Sequence, residues 1–100
     1  MSKNLDKLYQ LLYADDGLLI LLRLGEGLDL KKAEQIHDVL QKLSDEWRDK
    51  DSIPKQAVDI FIDFYPAMES AANHYSDIEA QKIIEVADKT MDLIRDCICN

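Results

Sequence analysis

Apolar residues recur at steps of three and four positions through most of the chain, the spacing that places them on one face of an α-helix. The clearest stripe predicts a helix from Asp29, its N-cap, to about Asp49. Its apolar positions are Ala33, Ile36, Leu40, Leu43 and Trp47. Similar stripes predict a first helix over residues 3–14 and a last helix from the capping box Ser76 to Glu79 to the end of the chain.

The run Leu18 to Leu24 is apolar at every position except Arg23. Periodicity alone leaves a buried strand and a short buried helix both open for such a run. The leucine-rich composition and the helical patterns on both sides favour the helix. Gly25 and Gly27 then predict its end, since glycine commonly follows the last turn of a helix.

The central predicted helix is the most apolar, and the rest of the chain is expected to pack around it. Ser52 is interpreted as its N-cap and Pro54 as a residue of its first turn. Pro66 lies within the apolar pattern and predicts a kink or a break near residues 62–65. The sequence thus predicts one all-α domain over residues 1–100, a bundle of four to five antiparallel helices with a central Pro-kinked aromatic helix.

The net charge of the chain disfavours some classes of binding partner and favours others. The chain carries 20 acidic against 12 basic residues, a net charge of −8. The imbalance lies mainly in residues 51–100, with ten acids and four bases. Direct nucleic-acid binding is disfavoured because it needs a basic surface, and a basic protein partner is favoured instead. Solubility alone would equally account for the acidity.

The cysteines and the hydropathy of the chain predict its cellular location. Cys97 and Cys99 do not form the widely spaced set of a disulfide framework, so a reducing compartment, the cytoplasm, is expected. The apolar run after residue 17 is too short to span a bilayer and follows acidic residues, so neither a signal peptide nor membrane association is expected.

A polar strip on the central helix is the candidate site. Asp59 and Asp63 lie about 40° apart on a helical wheel, and Gln56, Ser70 and His74 share their strip. The strip has three interpretations: the solvated side of a buried helix, carboxylates for acid–base or divalent-cation chemistry, or a partner-binding surface with tyrosines exposed beside it. The predicted partner-binding residues are Asp59, Asp63, Tyr65, Glu69, Tyr75 and Asp77.

No pattern in the chain indicates catalysis or a cofactor. Glu34 and His37 match the E-x-x-H half of a di-iron site, but the helical pattern points them outward and a second copy is missing. Both histidines are interpreted as surface residues, and no nucleophile has a His–acid relay at a familiar spacing. We therefore expect no enzyme, no metal site and no cofactor.

These features favour a small acidic helical protein that neutralises or holds a basic protein, most concretely an immunity protein or antitoxin inhibiting a bacterial toxin such as a nuclease. In general outline the chain resembles the colicin-nuclease immunity proteins, which are also short acidic helical bundles. Phe64-Tyr65-Pro66 is similar to their Tyr-Tyr-Pro, a likeness of three residues with different surrounding spacings. The alternatives are a structural subunit that forms a homodimer or larger homo-oligomer, and a helical chaperone or adaptor.

Overall fold

The computed structural model describes residues 3–99, and this part of the chain is all-helical, without a strand. The elements are α1 (Lys3–Tyr13), α2 (Leu18–Arg23), α3 (Leu30–Trp47), α4 (Lys55–Ala72) and α5 (Asp77–Cys99). The predicted all-α class is confirmed. The ambiguous leucine run forms the helix α2.

Local side-chain chemistry sets several helix ends. Oδ1 of Asp29 accepts a hydrogen bond from the Lys32 amide at 3.0 Å, and Oγ of Ser76 accepts one from the Glu79 amide at 3.4 Å. Both predicted caps are therefore present, and each accepts a hydrogen bond from an otherwise unpaired amide in the first turn of its helix. After α2, Gly25 and Gly27 have φ of 80° and 95°, the left-handed region that favours glycine.

Gly17 allows α1 and α2 to approach closely. A Cβ at this position would lie 2.5 Å from the carbonyl oxygen of Leu12 and 2.8 Å from the Tyr13 amide nitrogen. Both atoms belong to the backbone, so no side-chain rotation would relieve the overlap. Glycine is required here by space, because the backbone itself stands where a side chain would begin.

The start of α4 differs from the sequence prediction. The helix begins at Lys55 with Pro54 as its N-cap, so Ser52 is not the cap and Pro54 is not in the first turn. The reason is the proline, whose ring disfavours helical geometry at Ile53 and holds the approach to the helix extended. The helix then continues through Pro66 to Ala72. Whether it bends there stays a prediction.

Contacts between helices define the bundle. α3 packs against both α1 and α5, while α4 packs against α5 and the short α2. The Asn4 amide donates to Glu46 at 3.3 Å, which places the start of α1 beside the end of α3. His37 meets Thr90 and Cys97 meets Leu40, so α3 and α5 run in the same direction.

The core fills the space between these helices with aliphatic and aromatic side chains. Phe64 and Met68 of α4 are 1% and 0% exposed, and Trp47 lies edge-on to Phe61 with ring centroids 6.4 Å apart. α4 thus supplies the aromatic centre of the core from one face. Its opposite face is left to solvent.

The α3–α5 interface also contains specific polar contacts. The Thr90 hydroxyl donates to the Val86 carbonyl at 2.7 Å, so the 2.8 Å contact with His37 must be donated by His37 Nε2–H. His37 is therefore half-buried and bonded across the interface, and its interpretation as a surface residue was wrong. Nearby, the thiol of Cys97 donates to the Leu40 carbonyl at 3.2 Å, and burial raises its pKa to about 11.

Candidate protein-binding surface

The outward side of α4, here called the α4 face, combines acidic and apolar side chains. Its exposed residues follow three- and four-residue steps along the helix. They are Val58, Asp59, Ile62, Asp63, Pro66 and Glu69. Ile62 is 66% exposed and Val58 is 40% exposed. An aliphatic ridge bordered by carboxylates is a composition suited to protein contact, because it offers apolar area together with charge complementarity.

Asp59 and Asp63 lie on the side of the α4 face that borders α1. There the pKa of Tyr13 is raised, first by burial and then by the nearby Asp63 carboxylate, with smaller contributions from Tyr9 and Asp59 and an opposing one from Arg23. The Tyr9 and Tyr13 rings stack at a tilt, 5.1 Å between centroids. The two predicted carboxylates are therefore neighbours of an aromatic pair from another helix.

Tyr65 lies on the opposite side of the α4 face, toward α5. It is half-buried, whereas the sequence predicted an exposed tyrosine. Partial burial raises its pKa, and so do the nearby carboxylates of Asp88 and Glu69. The phenol lies between the two helices, with its ring forming part of the surface.

Two neighbouring depressions lie along the junction of α4 and α5, and we call them together the α4–α5 groove. One section, of about 720 Å³, is lined by Pro66, Glu69, Ser70, Ala72, Asn73, Asp77, Ala80, Gln81 and Ile84. The next section, of about 490 Å³, is lined by Tyr65, Asp88, Met91, Asp92 and Arg95. Since Tyr65 neighbours Asp88 and Asn73 neighbours Asp77, the two helices are antiparallel here. The groove brings together the predicted residues Tyr65, Glu69 and Asp77.

Tyr75 is placed elsewhere and has a structural function. Its hydroxyl donates to the Leu22 carbonyl at 2.8 Å and accepts from the Gly27 amide at 3.1 Å. The residue is half-buried, so the expectation of an exposed aromatic does not hold for it. Tyr75 ties the α4–α5 turn to the end of α2 and the segment that follows it, and its polar atom is already used within the protein.

The remainder of the predicted polar strip is divided between core and solvent. Gln56 is half-buried, and its Oε1 atom is buried without a hydrogen-bond partner. Ser70 and His74 are exposed and border a small cavity of about 160 Å³ beside Arg23. The strip is therefore not a continuous polar surface.

Several residues of this surface were not predicted as site residues from the sequence. Val58 and Ile62 look like core residues in the sequence because they are aliphatic positions in the most apolar helix. Tyr13 and Asp88 lie on other helices, far away in sequence. The sequence pattern predicts the helices that contain Tyr13 and Asp88, but whether these residues lie beside α4 depends on how the helices pack.

The described chain shows no arrangement typical of metal binding. Among residues 3–99 no group of three or more His, Cys, Asp or Glu side chains is placed to hold a metal ion. Glu34 is exposed, and Nε2 of His37 is engaged with Thr90. Over the same residues, no helix is both long enough and apolar enough to cross a bilayer.

A scan against protein-family models found no matching family, and searches of curated proteins and of solved structures found no match.

Proposed function

We propose that this chain is a small acidic binding protein that neutralises or holds a basic protein partner. Its most concrete form is an immunity protein or antitoxin that inhibits a bacterial toxin such as a nuclease. The observation that carries the proposal is the α4 face, where the exposed ridge of Val58 and Ile62 lies beside Asp59 and Asp63. Such a surface attracts a basic partner over distance and gives it apolar area to bury on contact.

The tyrosines beside this ridge strengthen the proposal. Tyr13 lies near the Asp59 and Asp63 side, and Tyr65 lies on the α5 side. A tyrosine ring contributes a large contact area at a low cost in conformational entropy, which is why tyrosines are frequent at the centres of interfaces. Tyr65 is half-buried beside α5, so less freedom is lost when a partner binds.

Pro66 lies at the exposed middle of the same surface, and we include its predicted bend in the proposal. A proline has no amide proton, so the Ile62 carbonyl lacks the intrahelical donor that position 66 would otherwise supply. That carbonyl is an acceptor suited to a lysine or arginine of a basic partner.

A cytoplasmic location fits this proposal. Cys97 and Cys99 are both free thiols, Cys97 buried and Cys99 exposed. An exposed free thiol is typical of a reducing compartment.

A tagged pull-down from the native host, followed by a binding titration with the recovered protein, tests the proposed function. The expected result is one stoichiometric basic protein whose dissociation constant rises with salt, because the attraction between opposite charges is screened. The double variant Asp59→Lys/Asp63→Lys is expected to weaken this complex at least tenfold at low salt.

The matched control is Asp38→Lys/Asp49→Lys, which reverses two exposed carboxylates outside the α4 face and produces the same change in net charge. It is expected to weaken binding far less. If both double variants weaken the complex equally, the effect belongs to overall charge. If neither variant does, the α4 face is not the binding surface. Recovery of the chain alone, as a salt-insensitive dimer, would favour a structural subunit instead.

A further inference from the structure

The α4–α5 groove has an apolar floor and acidic edges. Ala72 is buried, while Ala80, Ile84 and Met91 are half-buried. Carboxylates stand above this floor in both sections of the groove. They are Glu69, Asp77, Asp88 and Asp92. The one cation among the lining residues of these two sections is Arg95, and its guanidinium is paired with Asp92 at 2.8 Å. The groove is therefore apolar at its base and clearly negative along its edges.

The groove is long enough for one helix. The lining residues of α5 extend from Asp77 to Arg95. At a rise of 1.5 Å per residue this stretch is about 27 Å long, enough for about five turns of a second helix. The lining residues follow α5 throughout and the C-terminal half of α4 from Tyr65 onward, so a helix seated in the groove would pack along α5 and along that half of α4.

Charge decides which kind of helix would fit. A second copy of α5 is disfavoured because this helix itself carries six carboxylates against three basic residues, and like charges would face each other. A helix with lysine or arginine along both edges of an apolar stripe would neutralise the groove carboxylates and cover its floor. This is the helix-in-groove mode of recognition with a cationic ligand.

Tyr65 supports this occupant because its ring lines the same section of the groove as Asp88 and Asp92. The ring is half-buried between α4 and α5, and the Asp88 carboxylate beside it is an acceptor for a ligand. A ring face next to carboxylates is also a favourable position for a lysine or arginine side chain.

We propose that the α4–α5 groove is the seat of a cationic amphipathic helix belonging to the partner. This inference rests on the proposed function and adds to it the secondary structure of the segment that the partner presents.

The test uses a defined probe, an amidated 18-residue peptide of leucine and lysine with leucines at helical i, i+3 and i+4 positions. Two further peptides serve as controls: one with the same residues in an order that has no apolar face, and one with glutamate in place of lysine. Titration into the isotopically labelled protein, followed by amide chemical shifts, reports where each peptide binds. The expected result is saturable binding of the first peptide, with shifts concentrated at Ala80, Ile84 and Met91.

A charge-reversal pair adds a second readout. Glu69→Lys/Asp92→Lys is expected to raise the dissociation constant of the amphipathic peptide at least tenfold, whereas Asp38→Lys/Asp49→Lys is expected to change it less than threefold. A thermal melt confirms that each variant is folded, and the shift map of the unaltered protein does not depend on any variant. Equal binding of the reordered peptide, or shifts centred on another surface, would overturn the proposal.

The partner recovered by pull-down separates this inference from the proposed function. A complex weakened by Asp59→Lys/Asp63→Lys but not by Glu69→Lys/Asp92→Lys would overturn the groove as the seat of the helix while leaving the proposed function in place. A complex weakened by both variants, together with shifts in the groove, supports both proposals.

Discussion

The α3–α5 interface and the α4 face both set polar side chains among aliphatic ones, but they use them differently. In the interface, Thr90 is 2% exposed, donates to Val86 and accepts from His37. On the α4 face, Asp59 and Asp63 are exposed beside the bare aliphatic side chain of Ile62. The interface pairs its polar atoms within the protein because an unpaired buried group is costly. The α4 face leaves polar and apolar groups available to another molecule.

The two faces of α4 show the same contrast within one helix. Phe64 is 1% exposed and Ile62, two residues earlier, is 66% exposed. A helical bundle without a binding partner does not need an aliphatic residue at a position as exposed as 62, although single exposed aliphatic residues occur in most proteins. The contrast separates buried residues that stabilise the fold from exposed residues outside the core, and it leads to four predictions.

The largest expected effect distinguishes the two faces of α4. Phe64→Ala removes a buried ring from the core and is expected to lower the free energy of unfolding by about 3–5 kcal/mol. Ile62→Ala is expected to change it by less than about 0.5 kcal/mol, since its side chain is already mostly in water. Urea titrations of both variants give these values. Similar losses for the two would show that Ile62 is buried in solution, against the proposed surface.

A smaller effect is expected from Tyr75 and Tyr65, the two tyrosines that the sequence predicted to bind a partner. Tyr75→Phe leaves the Leu22 carbonyl and the Gly27 amide without their partner, and it is expected to cost about 1–3 kcal/mol of unfolding free energy. Tyr65→Phe removes a hydroxyl at the surface and is expected to lower the free energy of unfolding much less than Tyr75→Phe does. Thermal or urea unfolding measures both. A reversed order would mean that Tyr75 is not the structural tie between the loops.

Charge reversal on the α4 face is expected to leave stability almost unchanged. Asp59→Lys/Asp63→Lys moves the net charge from −8 to −4 and breaks no buried contact. The free energy of unfolding should therefore shift by less than about 0.5 kcal/mol. Unfolding curves at low and high salt check this. A large loss would mean that these carboxylates stabilise the fold, and weakened partner binding by this variant would then have a structural cause.

The smallest effect is a pH dependence from the α3–α5 interface. Burial lowers the pKa of His37 below its ordinary value of 6.5; Lys89 lowers it further, while Asp38 and Glu34 oppose the shift. The unfolded chain therefore binds a proton at His37 more tightly than the folded chain does. The stability that neutral His37 contributes is fully present above pH 6.5, and it is lost as pH falls through the pKa of His37 in the folded chain.

Unfolding free energies at several pH values between 5.5 and 8 measure this loss. His37→Gln is expected to flatten the fall in stability toward low pH. The matched control His74→Gln alters an exposed histidine and is expected to follow the unaltered protein. Identical slopes for all three proteins would show that His37 titrates alike in the folded and unfolded chain.

The sequence by itself determined the helical elements, because their signals are local. The spacing of apolar residues places the helices, and the side chains of Asp29 and Ser76 reach amides only three residues away. Gly25 and Gly27 mark a turn for an equally local reason, the backbone geometry that their missing side chain allows. The start of α4 was misplaced because the conformational limit that Pro54 sets on the preceding residue outweighed the capping tendency of Ser52.

Only the tertiary structure decided how far the solvent-facing side of α4 extends beyond Asp59 and Asp63 and which residues of other helices lie beside it. Helical periodicity places Ile62 and Phe64 on opposite sides of α4, but both are apolar, and whether each side is covered depends on where α1, α2 and α5 lie. The same packing brings Tyr13 and Asp88 to α4, directs the Tyr75 hydroxyl to Leu22 and places His37 against Thr90. These contacts join residues distant in sequence, and their energies depend on burial, which no local pattern specifies.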